Sequence, residues 1–114
     1  MYDLEERLLR FSKNLLFCIK NMRIEYLNRN IVDQVIRSGT SIGANYCEAN
    51  GANGKKDFAN KIHICKKEAK ETTYRLELLT SVIKNPSMEL VSLLKESKEI
   101  MCIFNKIAQK VKTY

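Results

Sequence analysis

The sequence predicts an all-α protein, an antiparallel up-down-up-down four-helix bundle formed by residues 1–114 as one domain. Three observations predict it. Apolar residues recur at steps of three and four through four long segments, the period that lays them on one face of a helix. Short polar turns separate the segments, and helices joined by short turns must run antiparallel. With 1 Pro and 4 Gly in 114 residues, the chain also lacks the turn residues that a many-stranded sandwich or barrel needs.

The first segment carries Leu4, Leu8, Phe11, Leu15, Cys18 and Met22 on one seam, with Asp3 and Glu6 spaced as a capping box. It is expected to run to about Tyr26. Asn28, Arg29 and Asn30 then read as a polar turn, with Asn30 as the next N-cap. The second seam is Val32, Val35, Gly39, Ile42, Tyr46 and Ala49. Its centre, residues 38–44, is poor in strong helix formers, yet the phase passes through unbroken, which predicts helix rather than loop. Gly39 and Gly43 share a face, where small residues let another helix backbone come close.

Asn50-Gly51-Ala52-Asn53-Gly54 is the clearest turn. The third and longest helix is expected from Lys55 to Ile83, with Phe58, Ile62, Cys65, Ala69, Thr72, Leu76, Leu79 and Ile83 on its seam. Lys84-Asn85-Pro86-Ser87 stops it, because proline cannot continue the ladder, and Ser87 can cap the fourth helix. That helix carries Leu90, Leu94, Ser97, Met101, Phe104, Ala108 and Val111, widened by Leu93, Ile100 and Ile107. A rival architecture is a pair of long hairpins whose core is completed by dimerising.

The formal net charge of +7, from 20 basic and 13 acidic residues, favours polyanionic partners but does not bear on fold. Cys18, Cys47, Cys65 and Cys102 form no C-x-x-C pair and lie among apolar residues at helical spacing, so all four are expected as buried free thiols in a reducing cytosol. No secretory signal is read at the N-terminus, and no run reaches the ~20 apolar residues of a membrane span. The expected location is cytoplasmic, with no membrane partner.

Enzyme chemistry is hard to build from these residues. His63 is the lone histidine, expected exposed or interfacial, and the Glu-x-x-His pairs of a di-iron bundle are absent. Ser38-Gly39-Thr40-Ser41-Ile42-Gly43 lacks the spacing, the lysine and the preceding strand of a phosphate-binding loop. No catalytic residue, metal ligand or cofactor is assigned. Two polar stripes stand out instead. Ser38, Ser41, Asn45 and Glu48 border the second seam, and Lys61, Glu68, Glu71 and Arg75 border the third. Positions beside a helical seam carry the charged pairs that set registry and partner choice. Lysines gather at Lys55, Lys56, Lys61, Lys66, Lys67 and Lys70 on the third helix and at Lys106, Lys110 and Lys112 on the fourth. In an antiparallel bundle the two groups are expected to converge on one pole, able to contact phosphates. Tyr46 and Tyr114 are minor candidates for base stacking.

The run Ile36-Arg37-Ser38-Gly39-Thr40-Ser41-Ile42-Gly43-Ala44-Asn45-Tyr46-Cys47-Glu48-Ala49, then Lys55-Lys56-Asp57-Phe58, Lys61, Ile64, Lys67-Glu68, Glu71 and Thr73-Tyr74-Arg75-Leu76-Glu77-Leu78-Leu79, resembles a known family. It is similar to the bacterial four-helix-bundle proteins encoded in 23S ribosomal RNA intervening sequences. These are related to the accessory variability proteins of diversity-generating retroelements. The resemblance is dense over roughly residues 35–80. It implies a homo-pentameric, barrel-like ring and association with RNA, or with a protein such as a reverse transcriptase, through a basic surface. It assigns no catalytic residues. Arg37, Ser38, Ser41, Asn45, Glu48, Lys61, Glu68, Glu71, Tyr74 and Arg75 are read as a shared interface network. Where the family usually has Tyr-Trp-Leu this chain has Tyr74-Arg75-Leu76, which places a charge at the interface. Three functions follow for testing: an RNA-associated oligomeric accessory protein, a protein–protein scaffold without a nucleic-acid role, and, least supported, a nuclease.

Overall fold

The structure, a computed structural model, describes residues 3–111, which form four helices: α1 (Leu4–Lys20), α2 (Tyr26–Asn50), α3 (Lys55–Val82) and α4 (Met88–Lys110). Each start has a local cause. Asp3 Oδ1 accepts from the Glu5 amide at 3.2 Å to cap α1, while Glu6 faces Arg10 at 3.7 Å. Gly54 precedes α3 at φ 98°, a left-handed value that suits glycine. Ser87 Oγ accepts from the Leu90 amide at 3.1 Å and caps α4, as its place after Pro86 predicts. Asn85 takes φ 56° in the same turn, a conformation asparagine tolerates.

The first turn lies earlier than the asparagine cluster suggests. α1 stops at Lys20, residues 21–25 make the connection, and α2 is already helical at Tyr26. Asn21 ends α1 by donating its side-chain amide to the Phe17 carbonyl at 3.0 Å. Glu25, not Asn30, is the N-cap: its amide donates to Asn28 Oδ1 at 2.8 Å, and a reciprocal bond to its carboxylate completes a capping box. Asn28 is therefore a buried part of the first turn of α2. Asparagine's local bonding can open a helix as well as break one.

α1 packs on α2 and α4, and α3 on α2 and α4, which closes a four-helix ring. Cross-bundle contacts fix the directions. Glu5 meets Cys47 and Asn50, Arg7 meets Glu96, and Glu48 meets Lys61, so successive helices run antiparallel. Leu8, Leu15, Val35, Ile42, Ile62, Leu76, Leu79, Leu90, Ile100 and Phe104 are fully buried between them. The glycine- and serine-rich centre of α2 is helical throughout. The reason is steric: a Cβ on Gly39 would stand 2.4 Å from Leu15 Cδ2, and one on Gly43 would stand 3.4 Å from Leu8 Cβ. The two glycines are the notch into which α1 settles.

Two hydroxyl pairs cross the core. Thr72 donates to Ser38 Oγ at 2.9 Å between α3 and α2, and Thr73 to Ser97 Oγ at 3.1 Å between α3 and α4. Ser38 and Ser97 give their protons to the Gln34 and Leu94 carbonyls, and Thr72 and Thr73, with one proton each, share it between the serine oxygen and the Glu68 or Ala69 carbonyl of their own helix.

The expectation of four buried thiols holds for two. Cys18 and Cys65 are buried, whereas Cys47 and Cys102 are exposed. Burial pushes the Cys65 thiol up to about 12. Cys47 sits on the rim of α2, where its thiol donates to Glu5 at 3.2 Å, and that bond raises its pKa. Cys102 lies on the outer face of α4, off the Phe104 seam. No helix of the described residues is long and apolar enough to cross a membrane.

Candidate functional site

The side chains singled out on α2 and α3 meet along the groove between these helices, because antiparallel packing sets position 37 opposite 68–71 and position 48 opposite 61. At one end Arg37 reaches Glu68 at 3.3 Å and Glu71 at 3.0 Å. Arg75 closes on Glu71 at 3.1 Å, and Gln34 accepts from Arg37 Nε at 3.2 Å. Glu68 is almost fully buried, with its side chain 8% exposed, and Arg37 covers it from the solvent side. Partial burial pushes the Glu71 carboxyl up, but the bonds from Arg75 and Arg37 outweigh it and hold the group below the usual carboxylate range.

At the other end Lys61 Nζ lies 2.7 Å from Glu48, whose carboxylate raises the lysine pKa. Between them Asn45 turns inward on its own helix, donating to the carbonyl and hydroxyl oxygens of Ser41, both at 2.9 Å. The stripe is thus two charged clusters separated by an amide–hydroxyl pair. Ser38 belongs to the buried hydroxyl pairs rather than to this surface. Tyr74 stands outside the ion pairs, 66% exposed. Such partly exposed pairs are worth about 0.2–1 kcal/mol each, so their clearer effect is on which helix faces align.

Lys55, Lys56, Lys66, Lys67, Lys70, Lys106 and Lys110 are all exposed. None of these seven forms an ion pair among the described residues, in contrast to Lys61 and Lys98. Lys55 and Lys110 line one cavity at the end of the bundle, beside Phe58 and Ala49. Lys66, Lys67 and Lys70 lie 11 to 15 residues further along α3, about 17–23 Å from that end at 1.5 Å per residue. The basic surface is therefore a band along α3 joined to one pole. Lys112 and Tyr114 lie outside the described residues. Tyr46 is not available for stacking, because it packs edge-on against Phe104 with ring centres 5.7 Å apart.

Sequence reasoning missed a second charged site. Arg7 on α1 forks onto Glu96 at 2.7 and 2.9 Å and reaches Glu99 at 2.8 Å on α4. The bonds to Glu96 raise the Arg7 pKa above its already high ordinary value. The sequence signal was Glu96 and Glu99, three apart on one helix face, which is room for one guanidinium. His63 is half-buried, its Nε2 without a hydrogen-bond partner among the described residues. No group of three or more His, Cys, Asp or Glu among those residues could hold a metal ion.

No curated protein matches the chain. Among solved structures it is similar to a protein of unknown function from the S23 ribosomal protein family of Bacteroides thetaiotaomicron. The identity is 34% over 93% of this chain and 98% of that one, with a TM-score of 0.74. The model of the 23S rRNA-intervening sequence protein family matches residues 4–106. That match spans all but the end of the bundle and includes both charged clusters, so the chain belongs to the 23S rRNA-intervening sequence protein family.

Proposed function

We propose that this chain is a non-enzymatic accessory protein that assembles into a homo-oligomeric ring and associates with RNA through its lysine band. The observation that carries the reading is that Lys55, Lys56, Lys66, Lys67, Lys70, Lys106 and Lys110 are exposed along α3 and the end of α4 and form no ion pair among the described residues. A protein that only needed solubility could scatter its charge and pair it. Here the ion pairs that join one helix to another hold the α2–α3 groove, the Arg7 fork and Lys98–Glu77, and these lysines face outward. Phosphates recruited by such a surface are bound through counterion release, with little sequence readout. A ring would repeat the band around its axis and steepen the local potential.

The Glu48–Lys61 end of the α2–α3 groove supports the ring part of the reading. Glu48 and Lys61 lie at the surface beside exposed Ile64, the mixture of apolar area and oriented charge that fixes register between subunits. Five copies, the number the family resemblance implies, are the expected assembly, and the cytosol is the expected location. The resemblance also favours a partner that itself handles RNA, such as a reverse transcriptase.

Native mass spectrometry of the purified protein tests both parts, since it reports subunit number and co-purifying nucleic acid together. Binding to RNA should weaken steeply between low and moderate salt. A monomeric mass, or an isotherm flat in salt, refutes the corresponding half. The scaffold reading gains instead if a single protein partner is retained after nuclease treatment.

A further inference from the structure

We infer that the cavity between the first half of α2 and the second half of α3 takes one unpaired nucleobase of a single-stranded RNA, with Lys67 and Lys70 on the neighbouring phosphates. This rests on the RNA association proposed above and names the form of RNA. The cavity holds about 350 Å³ and its walls are almost wholly apolar, from Ile31, Leu78 and the Tyr74 ring. Tyr74 is 66% exposed and lines the cavity with Ile31 and Leu78, so one face of its ring is open to a ligand. An aromatic face beside a basic track is the arrangement on which bases stack in sequence-tolerant single-strand binding.

The rim supplies the remaining chemistry. Lys70 lines the cavity one helical turn before Tyr74, and Lys67 lies close enough to Glu71 to act on its charge. Glu71, the acid in the wall, is already held by Arg37 and Arg75. With the arginines and their carboxylates balanced, the lysines leave the rim positive. The exposed Asn30 amide at the mouth has no partner among the described residues and offers one donor group and one acceptor to a base edge.

These features select for single strands. In an A-form duplex the bases are stacked and paired, so the protein meets phosphates and 2′-hydroxyls and no base can enter a pocket. A band of lysines alone would accept either form. The cavity rewards only an RNA whose bases are free to turn outward.

The test compares a fluorescein-labelled unstructured oligouridine with a blunt RNA duplex of equal length, by anisotropy over a salt series. Wild type should bind the oligouridine more tightly. Tyr74→Ala should weaken oligouridine about 5- to 150-fold, the loss of one stacked base, with the salt slope unchanged and duplex binding untouched. Tyr74→Phe, which keeps the ring, should retain wild-type affinity. Lys67→Ala with Lys70→Ala should lower the single-strand salt slope by about 1.4, at ~0.7 per phosphate contact. The inference is overturned if Tyr74→Ala binds oligouridine as wild type does, or if both RNA forms weaken equally. It is also overturned if Tyr74→Ala changes the assembly mass, which would place a second copy of the chain in the cavity. If the lysine variants weaken binding and Tyr74→Ala does not, only the base pocket falls. If wild type binds neither RNA, the RNA association falls with it.

Discussion

One substitution made at two neighbouring glycines should change stability in opposite directions. Replacing a helical glycine by alanine gains about 0.8–1 kcal/mol of helix propensity. At Gly43 the new Cβ would meet Leu8 Cβ at 3.4 Å and its backbone at 3.6 Å, ordinary van der Waals contact, so the propensity gain should survive. At Gly39 the new Cβ would fall 2.4 Å from Leu15 Cδ2, and Leu15 is only 1% exposed. It cannot swing aside without displacing its neighbours, and overpacking of this kind costs about 1–3 kcal/mol. We therefore expect Gly43→Ala to stabilise by about 0.5–1 kcal/mol and Gly39→Ala to destabilise by about 1 kcal/mol. For a chain of this size each kcal/mol moves Tm by about 4 °C. Thermal and urea unfolding followed by far-ultraviolet circular dichroism would separate the two. In a Leu15→Ala background the cost at Gly39 should vanish, a coupling of about 1 kcal/mol or more. Equal shifts of the same sign at both positions, or additivity with Leu15→Ala, would refute the notch.

The other predictions concern charges and thiols. Arg7→Lys keeps the charge but loses the two-pronged bond to Glu96, so it should destabilise by about 1 kcal/mol and speed amide exchange in α1 before α3. Glu71 has a lowered folded-state pKa, so its stabilisation is present above the ordinary carboxylate range, about 4.3, and lost as pH falls through the folded value. Tm should drop on acidification through that window, and less steeply in Glu71→Gln. With a thiol-reactive chromophore, Cys47 and Cys102 should label in the native protein, while Cys18 and Cys65 wait for unfolding. Glu5→Ala should quicken Cys47, whose thiolate the neighbouring carboxylate disfavours.

The seams were legible because burial enforces period: Leu8, Leu15, Ile42, Ile62, Leu76 and Phe104 each fall where the three-four step places them. So was the helical centre of α2, whose weak propensity is overridden by packing against α1. The α1–α2 turn was not, because Asn28 reads identically as a loop residue and as the N3 partner of Glu25, and only tertiary burial distinguishes them. Cysteine exposure was misread for a related reason. Cys47 and Cys102 lie among apolar neighbours in sequence but on the outer faces of their helices. In the groove, the stripes gave Glu48 and Lys61, which pair, and Glu68 and Glu71, whereas their partner Arg37 lies outside the stripe and was singled out only by the resemblance. The Asn45–Ser41 bond within α2 did not, since an amide can turn along its own helix as readily as across. The Arg7 fork needed knowledge of which α4 face meets α1, information carried by no single segment.

The hydroxyl pairs at Ser38–Thr72 and Thr73–Ser97 bear on how the rods find their alignment. Because each group can give its one proton to a carbonyl of its own helix, a helix that forms early brings no thirsty polar atom to the moment of assembly, and on docking Thr72 and Thr73 share theirs with the serine opposite. Sliding one rod along another by a turn would forfeit a bond without stranding anything. Misaligned encounters can therefore loosen and try again, and the chain gains a small, position-dependent reward, about 1 kcal/mol per crossing bond, only when all four rods stand level.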